Sequence, residues 1–150
     1  MSNSQVEITF EPMSVEDFDY LYRLSETTMR SYVEAVWGAW DENSSRAHYE
    51  STLKNGEFQA ICEAGSRVGA ISLLNHTSHL QIEQLYVEPQ HQNRGVGTAV
   101  VHRVLADAAV DSKPVRLRVL VSNPAKQLYE RMGFVVTETT KERHYMECYA

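Results

Sequence analysis

Cysteine is scarce in this chain, long apolar runs are missing and basic charge is in deficit. Each shortage removes a class of protein. Two cysteines in 150 residues, Cys62 and Cys148, stand in separate apolar segments. They supply neither a disulfide framework nor the paired spacing of a zinc site, and read as small buried hydrophobes. No apolar stretch reaches the roughly 20 residues that a bilayer-crossing helix needs, so no membrane partner is expected. Against 20 acidic residues stand 14 basic ones, a net charge of -6. That is the wrong sign for a protein working on a nucleic-acid backbone. An acidic balance fits a neutral or cationic partner, and equally serves solubility. The opening M-S-N-S-Q-V-E-I-T-F lacks a basic start followed by an apolar stretch, so no secretory leader is expected and the cytoplasm is the expected compartment.

What is present reads as one mixed α/β domain, long enough to bury a core. Residues 6–10 alternate and predict a first strand ending at Pro12. Ser14 with Asp17 three residues on predicts a helix start. Apolar positions from Phe18 to Val36 then follow at helical spacing, too long for one comfortable helix, so two are predicted with a break over 26–28 and a stop at Gly38. Asn43 or Ser44 is the predicted cap of a third helix ending near Gly56. Strands are predicted over 58–63 and 67–74, joined by Ala64-Gly65-Ser66, and over 80–87. A helix to about Ala109, a strand over 115–121, a helix opened by Asn123-Pro124 and ended by Gly133, and a last strand pair over 134–139 and 144–149 complete the pattern.

The most informative segment is Gln92-Asn93-Arg94-Gly95-Val96-Gly97-Thr98, set between the strand over 80–87 and the helix that follows. A glycine-rich turn opening a helix aims unpaired N–H groups and the positive end of the helix dipole at one point, which suits phosphate. A Walker loop is excluded because no lysine follows Gly97. A dinucleotide turn would need a third glycine and a place in the first strand–helix unit; Val100 stands where that glycine would be, and four predicted strands precede the turn.

The context decides further. The run L-Y-V-E-P-Q-H-Q-N-R-G-V-G-T-A-V resembles the acetyl-coenzyme A binding segment of the GNAT superfamily of N-acetyltransferases, with Gln92, Gly95 and Gly97 matching its Gln/Arg-x-x-Gly-x-Gly/Ala pattern and Val87-Glu88-Pro89 before it. A second run, V-S-N-P-A-K-Q-L-Y-E-R-M-G-F over 121–134, resembles that family's late strand–helix unit, with Asn123, Ala125, Tyr129 and Gly133-Phe134 in place. The resemblance implies a mostly antiparallel mixed sheet of six to seven strands flanked by four to five helices, with a V-shaped splay between the fourth and fifth strands. It implies transfer of acetyl from acetyl-CoA, as cosubstrate, to a primary amine by direct attack. A silent acyl-CoA binding module, or a transferase acting on protein N-termini or lysines, is the alternative. No metal is implied; the His76/His79 pair has no third ligand nearby in sequence.

By the same resemblance, the coenzyme's pyrophosphate would rest on residues 92–98, with Thr98 adding a hydroxyl and Arg94 charge; Arg94 also reads as an ordinary surface arginine. The pantetheine arm would pair with the strand ending Leu85-Tyr86-Val87, whose N–H groups would polarise the acetyl carbonyl, and Asn123 and Ala125 would complete the coenzyme site. Tyr129 matches the family's general acid; a tyrosine pKa near 10 is close to that of a thiol near 8.5. At helical spacing with Leu128 and Met132 it also reads as a core aromatic. Glu83 is the candidate base if Gln81, Glu83, Leu85 and Val87 share the face lining the cleft. If register is shifted by one, Gln84 and Tyr86 line it instead. For the acceptor, Glu34, Trp37 and Trp40, within a stretch also holding Tyr32, Asp41 and Glu42, could form an aromatic and acidic receptor for an alkylammonium, or simply pack the helix onto the sheet. Strand edges near the C-terminus leave room for a homodimer.

Overall fold

The computed structural model describes residues 6–149. Its strands are β1 (Ile8–Pro12), β2 (Phe58–Glu63), β3 (Ser66–Asn75), β4 (Leu80–Val87), β5 (Val115–Leu120), β6 (Val135–Thr139) and β7 (Arg143–Cys148). Its helices are α1 (Phe18–Trp37), α2 (Glu42–Lys54), α3 (Val96–Val110) and α4 (Ala125–Arg131), with short 3-10 turns at Val15–Asp17 and Pro89–His91. The strands form one sheet in the order β1-β2-β3-β4-β5-β7-β6. Every neighbouring pair is antiparallel except β4–β5. Strand and helix numbers, and the splay, agree with the architecture the motifs imply.

Two differences from the sequence pattern concern the N-terminal helices. α1 runs unbroken through 26–28. Ser25 and Thr28 turn their hydroxyls back onto the carbonyls of Tyr22 and Leu24, both at 2.8 Å, so they satisfy the helix instead of interrupting it. Arg30, paired with Glu26 and Glu34 one turn to each side, supports the exposed face. The break comes at Gly38, in the left-handed conformation with its N–H on the Glu34 carbonyl. Second, α2 is capped by Asp41 rather than Asn43 or Ser44: an Asp41 carboxylate oxygen accepts from the Ser44 N–H at 3.1 Å.

Each face of the sheet carries a separate core. α3 lays Val96, Val100, Val101 and Val104 on Ile61, Ile71, Leu117 and Met146, with Tyr129 of α4 at the margin. On the opposite face α1 and α2 pack Leu21, Tyr22, Tyr49 and Leu53 against Phe58, Ala60, Ala70 and Tyr86. Both cysteines are buried and unpaired. β6 forms one edge of the sheet and is exposed along its length; the homodimer expectation rests on this edge.

A bulge in β4 sets the local geometry of the site. Ser72 pairs with Gln84, but the next residue, Leu73, pairs with Ile82, leaving Glu83 as the extra residue. Strict alternation would put Ile82 and Tyr86 on one face. Instead Ile82 joins the α3 core and Tyr86 the α1–α2 core. The expected common face of Gln81, Glu83, Leu85 and Val87 is therefore broken at Glu83.

Opposite the C-terminal half of β4, Gly69 faces Val87 across the β3–β4 ladder. A Cβ there would press into the Tyr86 carbonyl oxygen and backbone, which cannot rotate away. Gly69→Ala is expected to cost about 3 kcal/mol, the upper end of ordinary overpacking. Urea unfolding monitored by circular dichroism measures it; a change below about 0.5 kcal/mol, the scale of a neutral surface substitution, would show that the two strands separate freely.

Candidate active site

β4 and β5 pair only from Leu80–Val115 to Ile82–Leu117 and then diverge. The Glu83 carboxylate and Arg118 guanidinium, 3.1 Å apart, bridge the start of the fork. Beyond them, residues 84–87 keep their β3 partners but have no partner on the β5 side, which leaves an open strand edge inside the molecule. An extended ligand carrying amides can pair with such an edge.

The turn after β4 is fixed from both ends. Gln92 donates from Nε2 to the Val87 carbonyl at 2.9 Å, tying the loop to the strand. Asn93 and Gly95 both adopt positive φ, a conformation that glycine takes without a Cβ clash. The first backbone bond of α3 runs from Ala99 N–H to the Gly95 carbonyl at 3.0 Å, so the N–H groups ahead of it are the free donors of a helix start. Gly97 lies against Leu128 of α4; a Cβ would stand 3.2 Å from its Cδ2. The cleft between turn, fork and α4 is lined by Leu85, Tyr86 and Val87, by Gln92, Asn93, Gly95, Gly97 and Thr98, and by Asn123, Ala125 and Tyr129. The donors, the glycine surface and the open strand edge fit a pyrophosphate with an amide-bearing arm.

Two members of the 92–98 segment stand apart. Val96 turns its side chain into the α3 core. Arg94 lies outside the cleft lining, where its guanidinium binds Glu63 at 2.7 Å and His91 Nδ1 at 2.9 Å. Tyr86 also turns its side chain away, its hydroxyl 2.6 Å from that of Tyr49; it joins the cleft wall beside Leu85. Burial raises the pKa of both tyrosines.

Tyr129 sits in α4, opened by Asn123, whose side-chain oxygen accepts from Ala125 N–H at 2.9 Å. Its ring meets Phe134 edge-on at 5.8 Å. Among the described residues, no buried side-chain N or O lacks a partner. Because the Tyr129 hydroxyl makes no hydrogen bond with another described residue, it must reach the cleft surface. Burial of the residue raises its pKa to about 12, above the value near 10 expected from the sequence.

A second lobe opens on the other side of Tyr129, with Met29, Leu85, Tyr86 and Asn123 common to both. Trp37 and Trp40 line it, together with Val33, His48 and Tyr49. Trp40 donates from Nε1 to the Tyr22 hydroxyl at 3.0 Å, whereas Trp37 is half exposed. The acids of residues 32–42 do not join them. Glu34 binds Arg30, Glu42 binds Arg46, and Asp41 caps α2. Tyr32 lines the turn-side lobe instead. Met29, His48, Tyr49, Arg118 and Arg143 belong to the combined cleft but were not picked out from sequence. Arg118 alternates with buried neighbours along β5 as any surface arginine does, and Arg143 opens β7 among residues of like, partial exposure, so neither stands out in sequence.

A family model for the acetyltransferase (GNAT) domain matches residues 27–149. The chain belongs to the GNAT acetyltransferase family. Solved structures agree at the level of fold. The PaiA N-acetyltransferase of Thermoplasma acidophilum, in complex with coenzyme A, shares 17% identity over 96% of this chain and 99% of its own, with a TM-score of 0.70. An acetyltransferase from Thermus thermophilus shares 15% identity over 97% and 98%, with a TM-score of 0.76. Mutant forms of the spermidine/spermine N-acetyltransferase of Vibrio cholerae share 20% identity over 98% and 95%, with a TM-score of 0.66. No curated protein matches the sequence. As a GNAT chain it is an acyltransferase. No described helix is long and apolar enough to cross a membrane, and no group of three metal-ligating side chains occurs among the described residues.

Proposed function

We propose that the protein moves the acetyl group of acetyl-CoA to a primary amine within a ternary complex. The observation that carries this reading is the meeting of two cleft lobes at Leu85, Tyr86 and Tyr129: one built for a phosphate-bearing donor, the other open to an acceptor. Acetyl-CoA supplies the thioester carbonyl carbon to which the amine nitrogen bonds as the thiol departs.

The chain's own groups divide the remaining work. Residues 92–98 hold the pyrophosphate through backbone N–H groups, and the free edge of β4 holds the arm and aims N–H groups from Leu85 to Val87 at the developing oxyanion. The raised pKa of Tyr129 keeps its hydroxyl protonated at working pH. Since a thiol sits near 8.5, Tyr129 serves the departing sulfur by donating a hydrogen bond, which stabilises the thiolate character that builds during bond cleavage.

Glu83 is the proposed base, acting through water. It lies in the bulge at the fork, reaches the acceptor lobe, and is anchored by Arg118. Its two possible roles differ in magnitude. A half-exposed ion pair contributes about 1 kcal/mol or less to stability, whereas general-base catalysis contributes about 100-fold or more in rate. Glu83→Gln is expected to lower kcat/KM about 100-fold, with little change in thermal midpoint. A loss under threefold would leave Glu83 as an ion-pair partner only. For the activity itself, thiol release with acetyl-CoA and a panel of amines and peptides is the test. Coenzyme binding without turnover of any acceptor would favour the silent binding module.

A further inference from the structure

We propose that the acceptor amine carries a carboxylate, and that Arg143 receives it. This rests on the transferase reading above and specifies its acceptor. The acceptor lobe holds three side chains of fixed charge, Glu83, Arg118 and Arg143: one carboxylate against two guanidiniums. Glu83 is bound by Arg118 at 3.1 Å. That leaves Arg143, which has no carboxylate partner among the described residues, as the uncompensated charge. The lobe therefore carries excess positive charge in a chain whose net charge is -6.

Its position suits the role. Arg143 starts β7 opposite Leu120, the last residue of β5. Pairing of β4 and β5 ends at Leu117, so Arg143 stands at the open mouth of the fork. Its guanidinium lies 5.2 Å from the centroid of the Trp37 ring. Held over the indole and donating to no described residue, the guanidinium keeps N–H groups for a carboxylate, which a planar fork binds through two parallel hydrogen bonds. Met29, Val33, Trp37 and Leu120 line the same lobe and offer an apolar bed. A carboxylate on the arginine and an apolar body on this bed describe an amino acid or amino-acid-like amine.

The same inventory opposes a polycation. A second ammonium would need a free carboxylate, and Glu34, Asp41 and Glu42 are each engaged away from the lobe. The acidic balance of the whole chain does not extend to the acceptor lobe.

The test uses matched acceptors at saturating acetyl-CoA, followed by thiol release: methionine and phenylalanine, their amides, their decarboxylated amines, and spermidine. Carboxylate-bearing acceptors are expected to exceed their amides in kcat/KM by about 10-fold or more, the scale of one charge-assisted pair. Arg143→Gln should raise acceptor KM by about 10- to 100-fold on the same grounds, with kcat and the KM for acetyl-CoA within about twofold. Arg143→Lys should recover part of the loss, and the amides should not respond to either change. Faster turnover of the decarboxylated amines or spermidine would overturn the proposal. So would an equal effect of Arg143→Gln on acceptors with and without a carboxylate. Absence of turnover with every amine, despite acetyl-CoA binding, would instead sink the transferase reading and this proposal with it.

Discussion

Gly97→Glu is expected to abolish measurable acetyl-CoA binding while leaving the fold as stable as before. The two effects separate for physical reasons. Gly97 is the second residue of α3, and replacing glycine inside a helix removes a backbone entropy cost of up to about 1 kcal/mol. A carboxylate in the first turn also interacts favourably with the helix dipole. The added Cβ meets Leu128 Cδ2 at 3.2 Å, the end of a flexible side chain that can give way. Stability should therefore hold or rise slightly. Binding faces the opposite balance: the new side chain occupies the surface that the pyrophosphate must approach, and places an anion beside an anion. Like-charge juxtaposition costs several kcal/mol, so affinity should fall by about 100-fold or more. Isothermal titration of acetyl-CoA, with a thermal melt of the same sample, reads both quantities. Unchanged affinity with an intact melt would remove the phosphate role of the 92–98 turn.

Tyr129→Phe should separate chemistry from binding in a similar way. The ring's packing on Phe134 is retained, and the hydroxyl makes no hydrogen bond with another described residue, so its removal leaves no orphaned partner in the fold. Thermal midpoint and acetyl-CoA affinity are expected to stay close to those of the parent. A donor that strengthens its contact only as the sulfur departs lowers kcat when removed, and losing one such preorganised donor costs about 100- to 1,000-fold. Steady-state turnover together with direct coenzyme titration measures the split. Equal loss in kcat and in coenzyme affinity would assign Tyr129 to the wall of the cleft alone.

Much of the geometry of the proposed donor site was legible because it is local. Gly95 and Gly97 answer to backbone demands met within one turn of chain, and the Asn123 side-chain oxygen accepts from the Ala125 N–H two residues on, at the start of α4. Short-range spacing preserves such features. The break placed in α1 shows where local signals mislead: Ser25 and Thr28 favour turns in general, yet here their hydroxyls bond back within the helix. The cap of α2 was missed for a related reason, since Asp41, Asn43 and Ser44 are all competent caps and only the entry path of the chain selects one.

The proposed acceptor lobe was the least legible part. Its walls come from α1, α2, β4, β5 and β7, which no sequence window spans. Glu34 sits beside Trp37 in sequence but turns to Arg30 on the helix surface, whereas Arg143, more than a hundred residues away, lies over the Trp37 ring. The β4 bulge had no readable signature, because Gln81-Ile82-Glu83-Gln84 fits an unbroken strand equally well.

The sequence by itself determined the α/β class, the family and the glycine turn that opens α3, because helix starts, strand alternation and glycine conformation are settled over a few neighbouring residues. Only the tertiary structure decided which charges the acceptor lobe presents, since packing across the sheet paired Glu83 with Arg118, withdrew Glu34 and placed Arg143 at the mouth of the fork.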